Sequence, residues 1–454
     1  MVFALPGLAT GMDTSGIINS LMRIEAIPQT LLKNKVSASQ SMMSALQTLN
    51  GKIASLAELS KATAKTDALD LFIATSSSEG VTAKAGPGAS AGSVDFVVDR
   101  LAQAHAGVTT AMAAWPTSPP TLTFVAADGT RTEVTAASTS LDDVVSAVNG
   151  SAAGVTAMKV STGGGQFRLQ LTASTSGAAG SFTAYRGSIA DIDGGTAVNL
   201  FTEPGAAVIK SGQDAQVTLW AGTAAAQSVT SSSNTFTGLL PGVDITVAAV
   251  SATPATVTVA RDNKQITKKA EDLVTALNGV FAYIKAISSV TPAAGGSATK
   301  AGILAGDSTV RDAGQRLLSA ASGPVSGRSP AEIGITITRD GNFTFDATKF
   351  AAALAAEPAF VESALQEIAG RVDVAATISS DKSTGLITSK ITGQEALVKK
   401  LNDQILEWDD RLAARRSTLE RVYSGLEVQI NRMNSQSAWL ASQLATLPKG
   451  DSGS

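Results

Sequence analysis

The chain has 454 residues and a formal charge of −3, which leaves room for about two to four domains and makes it no electrostatic match for nucleic acid. It contains no cysteine and one histidine. That excludes disulfides, thiolate nucleophiles, Cys-ligated zinc and iron–sulfur clusters, and it leaves any Ser-His-Asp triad a single possible base, His105. Charged residues are 16% of the chain, against roughly 25% in ordinary soluble proteins.

Residues 1–9 are apolar but broken by Pro6-Gly7 and carry no basic n-region, so they do not read as a cleaved secretory signal. Asp13 or Thr14 is placed to cap a helix carrying Ile17, Leu21 and Ile24, which Pro28 then breaks or kinks. A second stretch sets Leu32, Val36, Met43, Leu46, Ile53 and Leu56 near helical spacing, with Ser37, Ser39, Ser41 and Ser44 between them. Such a helix is amphipathic but weakly anchored and needs a partner.

Residues 110–260 carry 14 charged residues in 151 positions, few enough to read as a β head of short strands rich in Gly, Ser, Thr and Ala. Alternation predicts strands at Val94–Val98, Leu122–Val125, Val155–Val160, Phe167–Leu171, Val217–Trp220, Val243–Val250 and Val257–Ala260. Asp128-Gly129, Gly163-Gly164-Gly165, Asp193-Gly194-Gly195 and Pro241-Gly242 are the turns. One short helix, Leu141–Val148, lies within this region. Helical patterning returns at Lys264–Ser288, followed by a Gly/Pro/Ala linker at Thr291–Ser297. A helix near Ser308–Ala321, a hairpin turning at Asp340-Gly341-Asn342 and a helix near Ala347–Leu354 come next. The most apolar run, Phe350–Val361, is too short for a membrane span and contains Glu357-Pro358.

From Gly393 to Leu447 the apolar positions step by 3, 4 or 7: Leu397, Leu401, Ile405, Trp408, Leu412, Leu419, Val422, Leu426, Ile430, Met433, Leu440, Leu444 and Leu447. This is a heptad seam with charges on its outer faces, ended by Pro448 and Gly450. Arg415-Arg416, Gly425 and Ser437 interrupt it. The fold class is therefore α+β and multidomain: coiled-coil-like terminal helices and a helical stalk interrupted by an inserted β-rich head of two small modules. The expected divisions are N-terminal leg helices at 1–65, the first part of a stalk domain at 66–110, and head modules at 111–185 and 186–262. The rest of the stalk is expected at 263–385 and a C-terminal coiled-coil leg at 386–454.

No chemistry of comparable strength accompanies this pattern. GxxxxGK[ST] and GxSxG do not occur. Gly86-Pro87-Gly88 leads into a strand, so no helix N-terminus would face a phosphate. Ser297/Lys300 and Ser379/Lys382 match Ser-x-x-Lys without its companion motifs. Asp191 and Asp193 beside Gly194-Gly195 read as a turn, since the EF-hand pattern and its Glu are missing. Asp142, Asp143 and Glu203 supply carboxylates, but the aromatics that line sugar clefts are scarce. No cofactor or metal site is expected, and His105 reads as structural. On pattern alone, an intramolecular stalk and an assembly surface stand about even, because the terminal stripes carry more apolar surface than one helix pair buries.

Several phrases bear on that choice. Gly7-Leu8-Ala9-Thr10-Gly11-Met12-Asp13-Thr14, then Ile17-Ile18 and Ile24-Glu25-Ala26-Ile27-Pro28, open the chain. Ser231-Ser232-Ser233-Asn234-Thr235-Phe236 with Pro241-Gly242-Val243, Leu304-Ala305-Gly306-Asp307, and Glu332-Ile333-Gly334-Ile335 with Asp340-Gly341 lie within it. Gln429-Ile430-Asn431-Arg432-Met433-Asn434-Ser435-Gln436, Trp439-Leu440 and Gln443-Leu444 close it. In order and spacing these resemble the flagellar filament-cap family, hook-associated protein two, over about residues 5–105 and 210–447. Residues 110–205 carry no matching phrase, and Leu277-Asn278 departs from the family, which more often has an aromatic before the Asn.

The resemblance implies a non-enzymatic extracellular protein at the flagellum tip, exported without a cleaved signal. It implies a homo-oligomeric ring whose legs reach flagellin, with other hook-associated proteins as neighbours and an export chaperone at the C-terminal helix. The cap would promote flagellin insertion and prevent monomer loss. The interaction residues would then be Leu8, Met12, Ile17, Leu21, Leu401, Leu412, Leu419, Leu426, Met433, Leu440 and Leu444. Legs with an interrupted seam are expected to be poorly ordered when free and to order against flagellin helices. The alternative from another class is a secreted adhesive or carbohydrate-binding protein, with only Trp115, Trp220 and a few scattered Tyr and Phe to serve as a platform.

Overall fold

The computed structural model describes residues 13–292 and 300–445. They form two compact units: a helical one from the two chain ends, up to Leu69 and from Ile266, and a β unit from Asp70 to Gln265. The architecture is α+β and multidomain, with the β unit inserted into the helical one along the chain.

Two helices come first, α1 (Thr14–Glu25) and α2 (Ile27–Thr63). Asp13 caps α1, its Oδ1 accepting from Gly16 N at 2.7 Å. Ala26 joins the helices and keeps helical dihedrals. Pro28 falls in the first turn of α2, where the missing N–H leaves no intrahelical bond unmade. The expected break is thus a one-residue joint.

The β unit follows in chain order: β1 (Phe72–Ser76), β2 (Val81–Ala85), β3 (Gly92–Arg100), β4 (Ala104–Val108), β5 (Thr121–Ala126), β6 (Arg131–Thr135), α3 (Leu141–Asn149), β7 (Val155–Gly163), β8 (Gln166–Ser176), β9 (Phe182–Arg186), α4 (Ile189–Asp193), β10 (Val198–Asn199), β11 (Ala207–Lys210), β12 (Ala215–Leu219), β13 (Gln227–Ser231), β14 (Thr235–Leu240), β15 (Val243–Val247) and β16 (Ser251–Arg261). An outer module pairs β1-β16-β3-β12-β13 in one sheet and β14-β15-β2 in another. Alternation turns Val94, Phe96 and Val98 of β3 and Val243, Ile245 and Val247 of β15 into a shared core. An inner module pairs β10-β9-β5-β6 and β11-β4-β8-β7, and α3 adds Leu141, Val144 and Val148 to its core with Leu122, Phe124 and Leu171.

This partition differs from the expected one. Residues from Asp70 through Val108 supply β1–β4 to the β unit rather than a first part of the stalk. The boundary expected at residues 185/186 falls inside β9. The reason is long-range pairing: β12 and β16 return to β3, and β11 returns to β4. The modules are therefore nested instead of consecutive.

The helical unit resumes with α5 (Asn263–Ser288), β17 (Val290–Thr291), β18 (Lys300–Ala301), α6 (Ser308–Ser322), β19 (Ile335–Ile337), β20 (Phe343–Phe345), α7 (Ala347–Ala356), α8 (Pro358–Ser380) and α9 (Leu386–Ala445). The linker positions 293–299, Ser297 among them, and the helix-ending Leu447, Pro448 and Gly450 lie outside the described residues. α2 packs on both α8 and α9, and α6 and α7 pack on α8. Leu46, Leu49, Ile53 and Leu56 of α2 repeat at heptad spacing and are fully buried. Asn278 of α5 grips the β19–β20 hairpin: its Nδ2 donates to Phe343 O at 2.7 Å and its Oδ1 accepts from Phe343 N at 2.8 Å.

Candidate functional site

The first and last helices of the described chain lie side by side. α9 runs antiparallel to α1 and α2, because the partner's number rises as the other falls. Asn50 meets Thr388, Gln29 Nε2 donates to Asp409 Oδ1 at 2.5 Å, and Arg415 Nε donates to Glu25 Oε1 at 2.8 Å. Arg416 donates to Asn19 Oδ1 at 2.9 Å, and Thr14 Oγ1 to Glu427 Oε1 at 2.9 Å. Arg415 and Arg416, read from sequence as interruptions of the seam, both bond across to α1. Gln29 is buried among them, and no sequence signal marks a lone glutamine for that role.

The expected interaction residues that the structure describes divide into three groups. Leu401 is 7% exposed and belongs to the packed seam. Leu412 and Leu419 are half-buried. Ile17, Leu21, Leu426, Met433, Leu440 and Leu444 face outward. Leu8 and Met12 lie outside the described residues. The sequence reading missed Ile18, which is buried at a groove between α1 and α9 with Thr14, Arg416, Glu420 and Tyr423. It sits about 100° around the helix from Ile17, so α1 has one apolar edge against α9 and a second, Ile17-Leu21-Ile24, open.

An exposed stripe begins before Glu427 and continues past it. Val422, Leu426, Met433, Leu440 and Leu444 share one face at heptad spacing and are 47–66% exposed. Buried seam positions and exposed stripe positions thus lie on the same helix, near its root and toward its end respectively.

The root of α9 is fixed by charge. Lys390 Nζ lies 2.6 Å from Asp307 Oδ2, and Asp307 also caps α6 by accepting from Thr309 N and Val310 N. Burial pushes the Asp307 carboxyl up, but the Lys390 hydrogen bond and the Val310 N–H outweigh it and hold the carboxyl below its ordinary range.

The carboxylates considered for chemistry are engaged separately. Asp142 pairs with Lys159, Asp143 accepts from Ser138, and Glu203 pairs with Arg186 at 2.7 Å. Asp191 forms a capping box with Ser188, and Asp193 pairs with Arg131. Ser379 is buried and donates to Ala375 O. Among the described residues no group of three His, Asp or Glu is placed to hold a metal, and no helix is long and apolar enough to cross a membrane.

The class of protein this defines is a discontinuous helical body whose two ends run together as one antiparallel pair, with a nested β insert between them. The model of the N-terminus of flagellar hook-associated protein 2 matches residues 10–105, and that of its C-terminus matches residues 212–435. The chain belongs to the flagellar hook-associated protein 2 family. Flagellar hook-associated protein 2 of Escherichia coli O157:H7 is 27% identical, the alignment covering 96% of this chain and 97% of that protein. The lateral flagellar hook-associated protein 2 of Vibrio parahaemolyticus is 30% identical over 43% of this chain and 42% of its own length. The crystal structure of the D1-D2-D3 domains of the Escherichia coli flagellar cap protein FliD shares the fold, with a TM-score of 0.55 and 24% identity over 80% of this chain and 99% of that one.

Proposed function

We propose that this protein caps the distal end of the bacterial flagellar filament, promoting flagellin insertion and preventing monomer loss. Family membership supports this, and the observation that carries it is the antiparallel pair of chain ends whose apolar stripe stays open past Glu427. A surface of that kind suits helices that dock on and release from other helices. The reading includes a homo-oligomeric ring at the filament tip, flagellin and other hook-associated proteins as partners, an export chaperone on α9, export without a cleaved signal, and a structural rather than enzymatic role. The open positions Ile17, Leu21, Leu426, Met433, Leu440 and Leu444 are the proposed contacts, with Leu8 and Met12 before them in the chain. Of the two tryptophans the adhesive alternative would use, Trp115 is buried in the inner module's core.

The test is deletion of the gene in the source bacterium, with flagellin in the medium set against filament length. Abundant free flagellin with hooks but no filaments is the expected outcome, and re-expression without residues 400–454 should fail to rescue. Normal filaments would overturn the reading.

A further inference from the structure

His105, the sole histidine, lies on β4 in the core of the inner module and is 8% exposed. Its ring meets Phe182 in an edge-on contact, centroids 4.9 Å apart, and Phe201 at 6.1 Å. Phe182 also touches Phe124 and Phe201, so the imidazole forms one wall of an aromatic cluster. Gly107, two residues along β4, makes room for this cluster: a Cβ there would lie 2.3 Å from the Phe201 ring. Neither imidazole nitrogen has a hydrogen-bond partner in the protein.

The charged side chains on the neighbouring elements are all engaged elsewhere or exposed. Arg168 of β8 donates to Thr109 O and Gly205 O, and Lys210 of β11 is exposed. Arg186 of β9 pairs with Glu203, and Asp214 accepts from Ala178 N. No carboxylate bonds the ring, so an imidazolium here would be a buried cation without a counter-ion, while the neutral ring is an ordinary aromatic neighbour.

We propose that His105 makes the inner module acid-labile: protonation expels the imidazole from the Phe182–Phe201 cluster and opens the module while the outer module and the helices stay folded. Burial lowers the pKa of His105 from its ordinary value. Its contribution to stability is therefore complete above the unfolded-state value of about 6.5 and is lost as pH falls from there through the folded-state value. Carboxylates titrate near 4, so His105 is the one side chain whose charge changes on mild acidification.

The imidazole proton resonances of the full-length protein, unique in the chain, would be followed through a pH titration. Backbone amide protection would be compared between neutral pH and about pH 5, corrected for intrinsic exchange. The expected result is an imidazole titrating below the ordinary histidine value, with residues 104–210 losing protection by about tenfold or more and the outer module unchanged. His105→Leu and His105→Gln should abolish that loss. An imidazole titrating at or above the ordinary value, undiminished protection of residues 104–210 in acid, or an equal loss in a folded variant would each overturn the proposal. Where both variants fail to fold, the titration and the protection of the wild-type protein in acid together still decide the matter.

Discussion

Glu25, the last residue of α1, accepts a hydrogen bond at 2.8 Å from Arg415, 390 positions later. Both side chains are partly exposed. The pair sets register more than it adds stability, since exposed ion pairs contribute about 0.2–1 kcal/mol. A Glu25→Gln/Arg415→Gln double-mutant cycle in urea should give a coupling within that range, weakening with salt. A coupling several times larger would mean that the pair anchors α1.

Leu401 and Met433 lie on the same helix in opposite circumstances. Leu401→Ala removes a buried side chain and should cost about 2–5 kcal/mol in denaturant unfolding. Met433→Ala should change stability by less than about 0.5 kcal/mol yet impair filament growth in the complementation assay. Normal filaments with Met433→Ala/Leu440→Ala would remove the distal stripe from the contact surface.

Asp307→Ala takes away both the cap of α6 and the counter-ion of Lys390, and should cost about 1–3 kcal/mol. The sign of its pH dependence follows from its lowered pKa. Its contribution is present above the unfolded carboxylate value of about 3.9 and lost as pH falls through the folded one. Urea midpoints of wild type and Asp307→Ala should therefore converge in acid.

Asn278→Ala would leave the backbone N–H and C=O of Phe343 without their side-chain partner, at about 1–3 kcal/mol. Raised amide exchange confined to residues 335–345 is the expected signature. Asn278→Asp keeps the acceptor for Phe343 N but sets a carboxylate oxygen against Phe343 O, and should not restore protection.

Gly107→Ala should overpack the inner module against Phe201, by about 1–3 kcal/mol. Circular dichroism in the near-ultraviolet, with Trp115 buried in that core, would report the loss directly.

The sequence made the individual elements legible where burial follows a period. The strands around Val94–Val98 and Val243–Val247 and the helices near Leu141–Val148, Lys264–Ser288 and Ser308–Ala321 were readable because large apolar side chains mark their inner faces. α8 is marked only in part: Val361, Leu365, Ile368 and Val372 step by 4, 3 and 4 on its buried face, but the rest of that face is Ala364, Ala369, Ala375, Ala376, Ser379 and Ser380, which carry little hydrophobic contrast. β11, exposed at all four positions, offers no alternation at all. The nesting of the modules is a matter of pairing across more than a hundred residues and leaves no local mark. In the paired ends, the apolar stripes could be seen but not which edge of α1 turns inward. That choice rests on polar contacts such as Arg416 with Asn19, which no periodicity encodes.

The inner module is entered and left through one doorway. Gln103, just before β4, and Gln213, soon after β11, exchange two backbone hydrogen bonds, at 2.9 and 3.2 Å. The outer module repeats the device at its own threshold, where Phe72 is paired with Arg261. The stretch between Gln103 and Gln213 is thus closed at its base by one antiparallel bridge, outside which β3 and β12 keep their own pairing. The two family matches stop at residue 105 and resume at 212, the same two thresholds. The part of the chain that both family models leave unmatched is thus the part from which the inner module is folded.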